Sequence, residues 1–103
     1  MNRCDKMFDY TPAELEEVKA KYFSSLIPLV LSDFPSKEKK KFLCLIPIIE
    51  SFDQKKVYLE KEVNEILKSI YAFDYCILRR YLIDYGFLDR EESGKSYWVR
   101  EDK

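Results

Sequence analysis

Between Asp74 and Trp98 the sequence DYCILRRYLIDYGFLDREESGKSYW sets three constraints in a fixed order, and they limit what the rest of the chain can be. Asp74 is a residue type that caps a helix by accepting a hydrogen bond from the backbone of the first turn. Tyr75, Leu78, Leu82 and Tyr85 then recur on one helical face. Gly86 supplies the left-handed conformation that closes a helix, and Phe87 and Leu88 begin an extended run. Phe87-Leu88-Asp89-Arg90, Glu91-Glu92-Ser93-Gly94 and Lys95-Ser96-Tyr97-Trp98-Val99 read as strand, turn and strand, with Gly94 free to take positive φ.

Upstream the chain supplies the helices such a hairpin needs. Residues 1 to 10 carry no usable period and read as a loose arm, in which Met7, Phe8 and Tyr10 are the side chains able to pack. In Thr11-Pro12-Ala13-Glu14, threonine is an N-cap, proline takes the first helical position, and Glu14 can complete a capping box. Leu15, Val18, Tyr22 and Leu26 continue this helix, which should end near Ser25 because Pro28 disfavours helical geometry at Ile27. Ile27, Leu29 and Leu31 alternate as in a short strand that could join a small sheet. Ser36 is the expected cap of a second helix with Phe42, Leu45 or Ile46, Ile49 and Phe52 on its apolar stripe, kinked at Pro47. Asp53 to Lys56 reads as a turn and Val57-Tyr58-Leu59 as a brief strand. In the third helix Val63, Ile66, Leu67 and Ile70 have the spacing of a buried face, although Leu59 is a poor capping residue at its start.

The predicted fold class is therefore α+β. Its last five elements follow a winged-helix-like order, a helical core with a small antiparallel sheet and a C-terminal β-hairpin, and an extra helix precedes them. Residues 1–28 form the arm and capped helix, 29–100 the winged-helix-like domain, and 101–103 a polar tail. At 103 residues the chain is one domain with one core. Its formal net charge of -1 provides no global field towards nucleic acid, so any such binding needs a local patch. Cys4, Cys44 and Cys76 are an odd number of distant cysteines with no histidine to join them, which argues against a zinc site or a disulfide framework. No apolar run approaches the roughly 20 residues that span a bilayer, and the first ten residues lack a signal-peptide core. A cytoplasmic protein with no cofactor and no membrane contact is expected.

The runs FPSKEKKK at 34 to 41, VYLEKEVNEIL at 57 to 67, DYCILRRYLIDYGFLDR at 74 to 90 and SYW at 96 to 98 resemble an uncharacterised bacterial family, domain of unknown function 2087. The most specific pieces are EKEVNEIL and D-Y-x-x-L-R-R-x-L-x-x-x-G. The resemblance runs from about Leu29 to Trp98 and implies a winged-helix-like fold. It also implies occurrence either alone or fused behind a helix-turn-helix domain in transcriptional regulators, and no known enzyme activity. This chain departs from the family pattern at Leu59, where a capping threonine is usual, at Tyr71, where a histidine is frequent, and at Pro47 within the first long helix. The absent histidine removes the usual acid–base group from that position.

Several residues then compete between use and structure. Arg79 and Arg80, on the face of the fourth helix that also carries Cys76 and Ile83, can clamp phosphates or read bases; alternatively Arg79 pairs with a nearby acid and Arg80 is solvated. Lys37, Lys39, Lys40 and Lys41 are the densest basic cluster, within residues 36–73 that hold eight lysines against six acids. They suit a phosphate backbone or simply a solvated helix start. Opposing DNA are Asp74, Asp84, Glu91 and Glu92 on the same stretch, since repelled phosphates weaken binding. Trp98, Tyr97, Phe87 and Tyr85 are either a base-stacking platform or core under the hairpin.

No residue set points to catalysis, and the expectation is a DNA-binding transcriptional regulator of winged-helix type contacting double-stranded DNA through Arg79, Arg80 and the Lys37 to Lys41 cluster. The alternative is a protein-interaction module that contacts a partner through Cys76 and Ile83. The richness in tyrosine and phenylalanine favours it, and a homodimer is compatible with either reading.

Overall fold

A computed structural model describes residues 9–100, so the expectations for the arm before residue 9, including Met7, Phe8 and Cys4, and for the tail at 101–103 lie outside the described residues. The chain is α+β, and its elements follow the order α1 (Pro12–Tyr22), β1 (Phe23–Leu26), β2 (Leu29–Leu31), α2 (Glu38–Ile49), β3 (Val57–Leu59), α3 (Glu60–Ile70), α4 (Tyr75–Asp84), β4 (Leu88–Arg90) and β5 (Ser96–Val99). A single 3-10 turn at Ala72–Asp74 joins α3 to α4.

Thr11 caps α1 as expected: its Oγ1 accepts from the Glu14 N–H at 3.2 Å, and Glu14 Oε1 accepts from the Thr11 N–H at 2.9 Å. The helix does not reach Ser25. It stops at Tyr22, and Phe23–Leu26 turns into a strand paired antiparallel with Leu29–Leu31. The cause is distant in sequence. The Tyr22 carbonyl accepts from the Ser32 N–H at 2.8 Å and from Ser32 Oγ at 3.0 Å, so a returning strand takes over the carbonyl a longer helix would have used. The two strands meet in a turn with a cis Ile27–Pro28 peptide, and Ser25 Oγ donates to the Pro28 carbonyl at 2.6 Å. This hairpin forms a small sheet of its own, and the strand expected around Ile27 to Leu31 belongs to it over Leu29–Leu31.

The start and end of α2 also differ from expectation. Its N-cap is Lys37, one residue beyond Ser36, and no side chain caps it. Pro47 lies in the last turn, and the helix ends two residues later, so Phe52 falls beyond it. Phe52 is nevertheless buried and packs edge-on against Tyr58 at 5.2 Å between ring centroids. The helix is also buried more completely than a single stripe: Leu43, Cys44 and Ile48 are in the core alongside Phe42, Leu45 and Ile49. An element buried on most of its circumference is central to the packing, with α1 covering one side and α4 another.

The other expectations for this region hold. β3, β5 and β4 form one antiparallel sheet in that order, with Val57 opposite Trp98, Tyr58 opposite Tyr97, and Tyr97 opposite Arg90. Val63, Leu67 and Ile70 of α3 are buried against Leu78 and Leu82 of α4, while Ile66, expected on the same face, is only partly buried. With no capping side chain at Leu59, Glu62 reaches back so that its Oε1 accepts the Leu59 N–H at 2.9 Å. Asp74 caps α4, accepting from the Ile77 N–H at 3.3 Å. At the other end the Gly86 N–H bonds to the Ile83 carbonyl and the Phe87 N–H to the Leu82 carbonyl. This is the paired-bond termination that needs a left-handed residue, and Gly86 supplies it with φ 79°. Gly94 takes φ 77° in the β4–β5 turn, closed by the Gly94 N–H to the Glu91 carbonyl at 2.9 Å. No helix among the described residues is long and apolar enough to cross a membrane.

Candidate functional site

The inward face of α4 is spent on the core, where Leu78 and Leu82 are wholly buried and Tyr85 nearly so. At about 100° per residue, Cys76, Arg79, Arg80 and Ile83 must then share the outward side. The glycine stop turns the chain directly into β4, where Leu88 faces the core. Side chains alternate along a strand, so Arg90, two residues on, shares the face of Leu88 and sits opposite Tyr97. The consequence is an open groove of about 280 Å³ between α4 and the hairpin. Cys76, Arg79, Arg80, Ile83 and Asp84 line it from the helix, and Arg90 and Tyr97 from the strands.

Three guanidinium groups therefore meet one carboxylate. Their surroundings differ. Arg79 is largely covered: its Nη1 donates to Asn64 Oδ1 of α3 and lies 3.9 Å from Glu60 Oε2. Arg80 has a side chain 75% exposed and a single acidic neighbour, Asp84 one turn further on at 3.7 Å. A pair so open to water is worth only about 0–1 kcal/mol. Arg90 has no ion pair among the described residues, and its Nη1 lies beside the Gly94 turn. A phosphate or carboxylate entering the groove would thus meet one fixed positive charge and two that are free to turn towards it.

The lysine cluster is elsewhere and only half available. Lys39 Nζ is 3.0 Å from Glu14 Oε2 of α1, and this bond is the main cause that holds the Glu14 carboxyl below its usual range. Lys41 Nζ stands 4.7 Å above the Tyr81 ring and 3.3 Å from its hydroxyl. The side chains of Lys37 and Lys40 make no hydrogen bond or ion pair among the described residues. Tyr81 sits roughly 140° around α4 from the centre of the groove-lining face, so the structure does not bring the lysines and the arginines into one site.

The aromatic residues separate as well. Tyr85, Phe87 and Tyr97 belong to the core, while Trp98, on the alternate face of β5, is partly exposed beside Val57 with Lys55 and Lys56 nearby. Cys44 is fully buried and its thiol is pushed up to about 12 by desolvation, which keeps it protonated and unreactive; Cys76 is exposed in the groove. Tyr71 also has its pKa raised, first by burial and then by Asp33 and Asp74. Among the described residues no group of three or more His, Cys, Asp or Glu side chains could hold a metal ion.

Sequence reasoning placed Arg79, Arg80, Cys76 and Ile83 on one face and missed Arg90 and Tyr97 as their partners. The signal was available: once Leu88 is taken as inward, strand alternation puts Arg90 on the helix side of the hairpin. A family model described as "Uncharacterized protein conserved in bacteria (DUF2087)" matches residues 30–99. Comparison with curated proteins and with solved structures gave no match.

Proposed function

We propose that this chain, which belongs to the uncharacterised bacterial family DUF2087, is a winged-helix-type regulatory domain that contacts double-stranded DNA. The observation that carries the reading is the shared groove: Arg79 and Arg80 of α4 and Arg90 of the hairpin converge on one space, with two of the three guanidinium groups weakly committed. In this reading α4 and the β4–β5 wing straddle the phosphate backbone, and binding is modest because Asp84 faces the same groove and Glu91 and Glu92 sit at the wing tip. Guanidinium groups that converge on one groove neutralise few phosphates, each worth about 0.9 in the slope of log K against log salt, so the interaction is weak at physiological ionic strength.

The test is a fluorescence-anisotropy titration of random duplex DNA at several salt concentrations. Binding that weakens with salt on that shallow slope, and is weaker in an Arg80→Gln/Arg90→Gln protein, is expected. A protein that ignores duplex DNA even at low salt is not a DNA-binding domain.

A second reading, a protein-interaction module, is favoured by one observation: Ile27 is 95% exposed and Phe73 88%, both large apolar side chains turned to solvent. Light scattering over a concentration series tests its simplest form, self-association, which Phe73→Ser or Ile27→Ser should abolish.

A further inference from the structure

We propose that the groove between α4 and the hairpin is a phosphate clamp. Arg80 and Arg90 close from opposite walls on one phosphate oxyanion, Arg79 contributes a fixed charge behind them, and no base edge is read. The proposal deepens the DNA-binding reading and rests on it only for the natural source of the phosphate.

Three features carry it. First, the hairpin lies along the same face of α4 that bears the arginines, so the helix meets a ligand as one wall of a groove. Reading base edges requires a helix or ribbon to project into a major groove about 12 Å wide, which a helix face walled on one side by a hairpin does not do. Second, Arg79 is held by Asn64 and Glu60 and cannot swing outward, while Arg80 and Arg90 can. An arginine with a free planar fork makes two parallel hydrogen bonds to a phosphate, and two such forks facing each other suit the tetrahedral oxygens of a single group. Third, a volume of about 280 Å³ admits a phosphate with its attached sugar but is small for a base pair. The Arg80–Asp84 contact lies along the helix wall of the groove, and it is weak enough for an incoming anion to displace the carboxylate.

Cys76 gives the site its own reporter, since it lines the groove and is exposed, while Cys44 is buried. The alkylation rate of Cys76 by iodoacetamide in the full chain is followed by peptide mass mapping. Inorganic phosphate, a 5′-mononucleotide, random duplex DNA and chloride at matched ionic strength are compared. Phosphate and the mononucleotide should each slow the reaction several-fold relative to chloride. That protection should vanish in Arg80→Gln/Arg90→Gln and be reduced in Arg80→Lys/Arg90→Lys, which keeps the charge and loses the fork. It should persist in Lys37→Gln/Lys40→Gln. No protection by phosphate, or equal protection in the arginine variants, overturns the clamp. Unchanged duplex affinity in the arginine variants overturns it too and leaves DNA binding standing on other residues. Protection by phosphate without any duplex binding sustains the clamp and removes DNA as its partner.

Discussion

The guanidinium of Arg79 in α4 donates to the side-chain oxygen of Asn64 in α3, eleven places before the Tyr75 that begins α4, while its sequence neighbour Arg80 points into solvent with a side chain 75% exposed. Two adjacent arginines on one motif thus have different work. One fastens the two helices whose apolar faces make the centre of the core, and the other is free to meet a ligand.

That division is measurable as stability. A hydrogen bond from a charged donor contributes about 1.5–3 kcal/mol where water is excluded, and Arg79 is partly open, so Arg79→Ala should cost about 1–2 kcal/mol. Arg80→Ala should stay within about 0.5 kcal/mol of the parent, as exposed substitutions do. Urea unfolding midpoints at unchanged slope separate the two, and equal losses would mean that the Asn64 bond does not hold the helices.

A second tie joins α4 to α2. Tyr85 Oη donates to Glu38 Oε1 at 2.9 Å, and the Tyr85 ring is buried. Tyr85→Phe keeps the ring and removes the hydrogen bond, so a loss of about 1 kcal/mol in the same assay is expected. The Glu38→Gln protein should lose less, because its amide oxygen can still accept.

The C-terminal half of the fold was legible because its signals are local. Asp74, Gly86 and Gly94 act within a few residues of themselves, and the spacing of Val63, Leu67 and Ile70 requires no knowledge of what they pack against. The N-terminal half was less legible because its signals are remote. The end of α1 at Tyr22 is fixed by Ser32, ten residues away, and no window around Ser25 contains that information. The site divides in the same manner: one helical turn of sequence placed Arg79 and Arg80 together, whereas Arg90 reaches them only through the packing of the hairpin on α4.

The same limitation produces a stability prediction for α2. A one-stripe reading leaves Ile48 off the core face, yet Ile48 is fully buried. Ile48→Ala should therefore cost about 2–5 kcal/mol, the range for emptying a packed site, where a surface position would cost little. Calorimetry or chemical denaturation gives the value, and a loss below about 1 kcal/mol would place Ile48 outside the core.

The contact of Lys39 with Glu14 makes stability sensitive to acid. The Lys39 hydrogen bond first, and the Thr11 N–H second, hold the folded Glu14 pKa below its usual 4.5. A depressed carboxylate contributes stability that is fully present above the unfolded value and is lost as pH falls through the folded one. The parent should therefore be more stable than Glu14→Gln at neutral pH, and the gap should narrow progressively below pH 4.5. A gap that is constant with pH would show that the ion pair adds nothing to the capping bonds.

The separation of lysines from arginines leads to the sharpest prediction for binding. Lys39 and Lys41 are engaged by Glu14 and Tyr81, and the cluster approaches α4 on the side away from the groove. If duplex DNA lies along the groove, the phosphate held between Arg80 and Arg90 contributes about 0.9 to the salt slope, so Arg80→Gln/Arg90→Gln should lower it by about 1. Lys37→Gln/Lys40→Gln removes the same formal charge from residues outside the groove. It should lower affinity slightly through the long-range field and leave the slope within about 0.5 of the parent, since no bound counterion is exchanged there. Anisotropy titrations of the three proteins over the same salt series make the comparison. Slopes that fall equally in both variants would mean that the DNA path crosses the start of α2 as well, and the two basic features would have to be read as one extended surface.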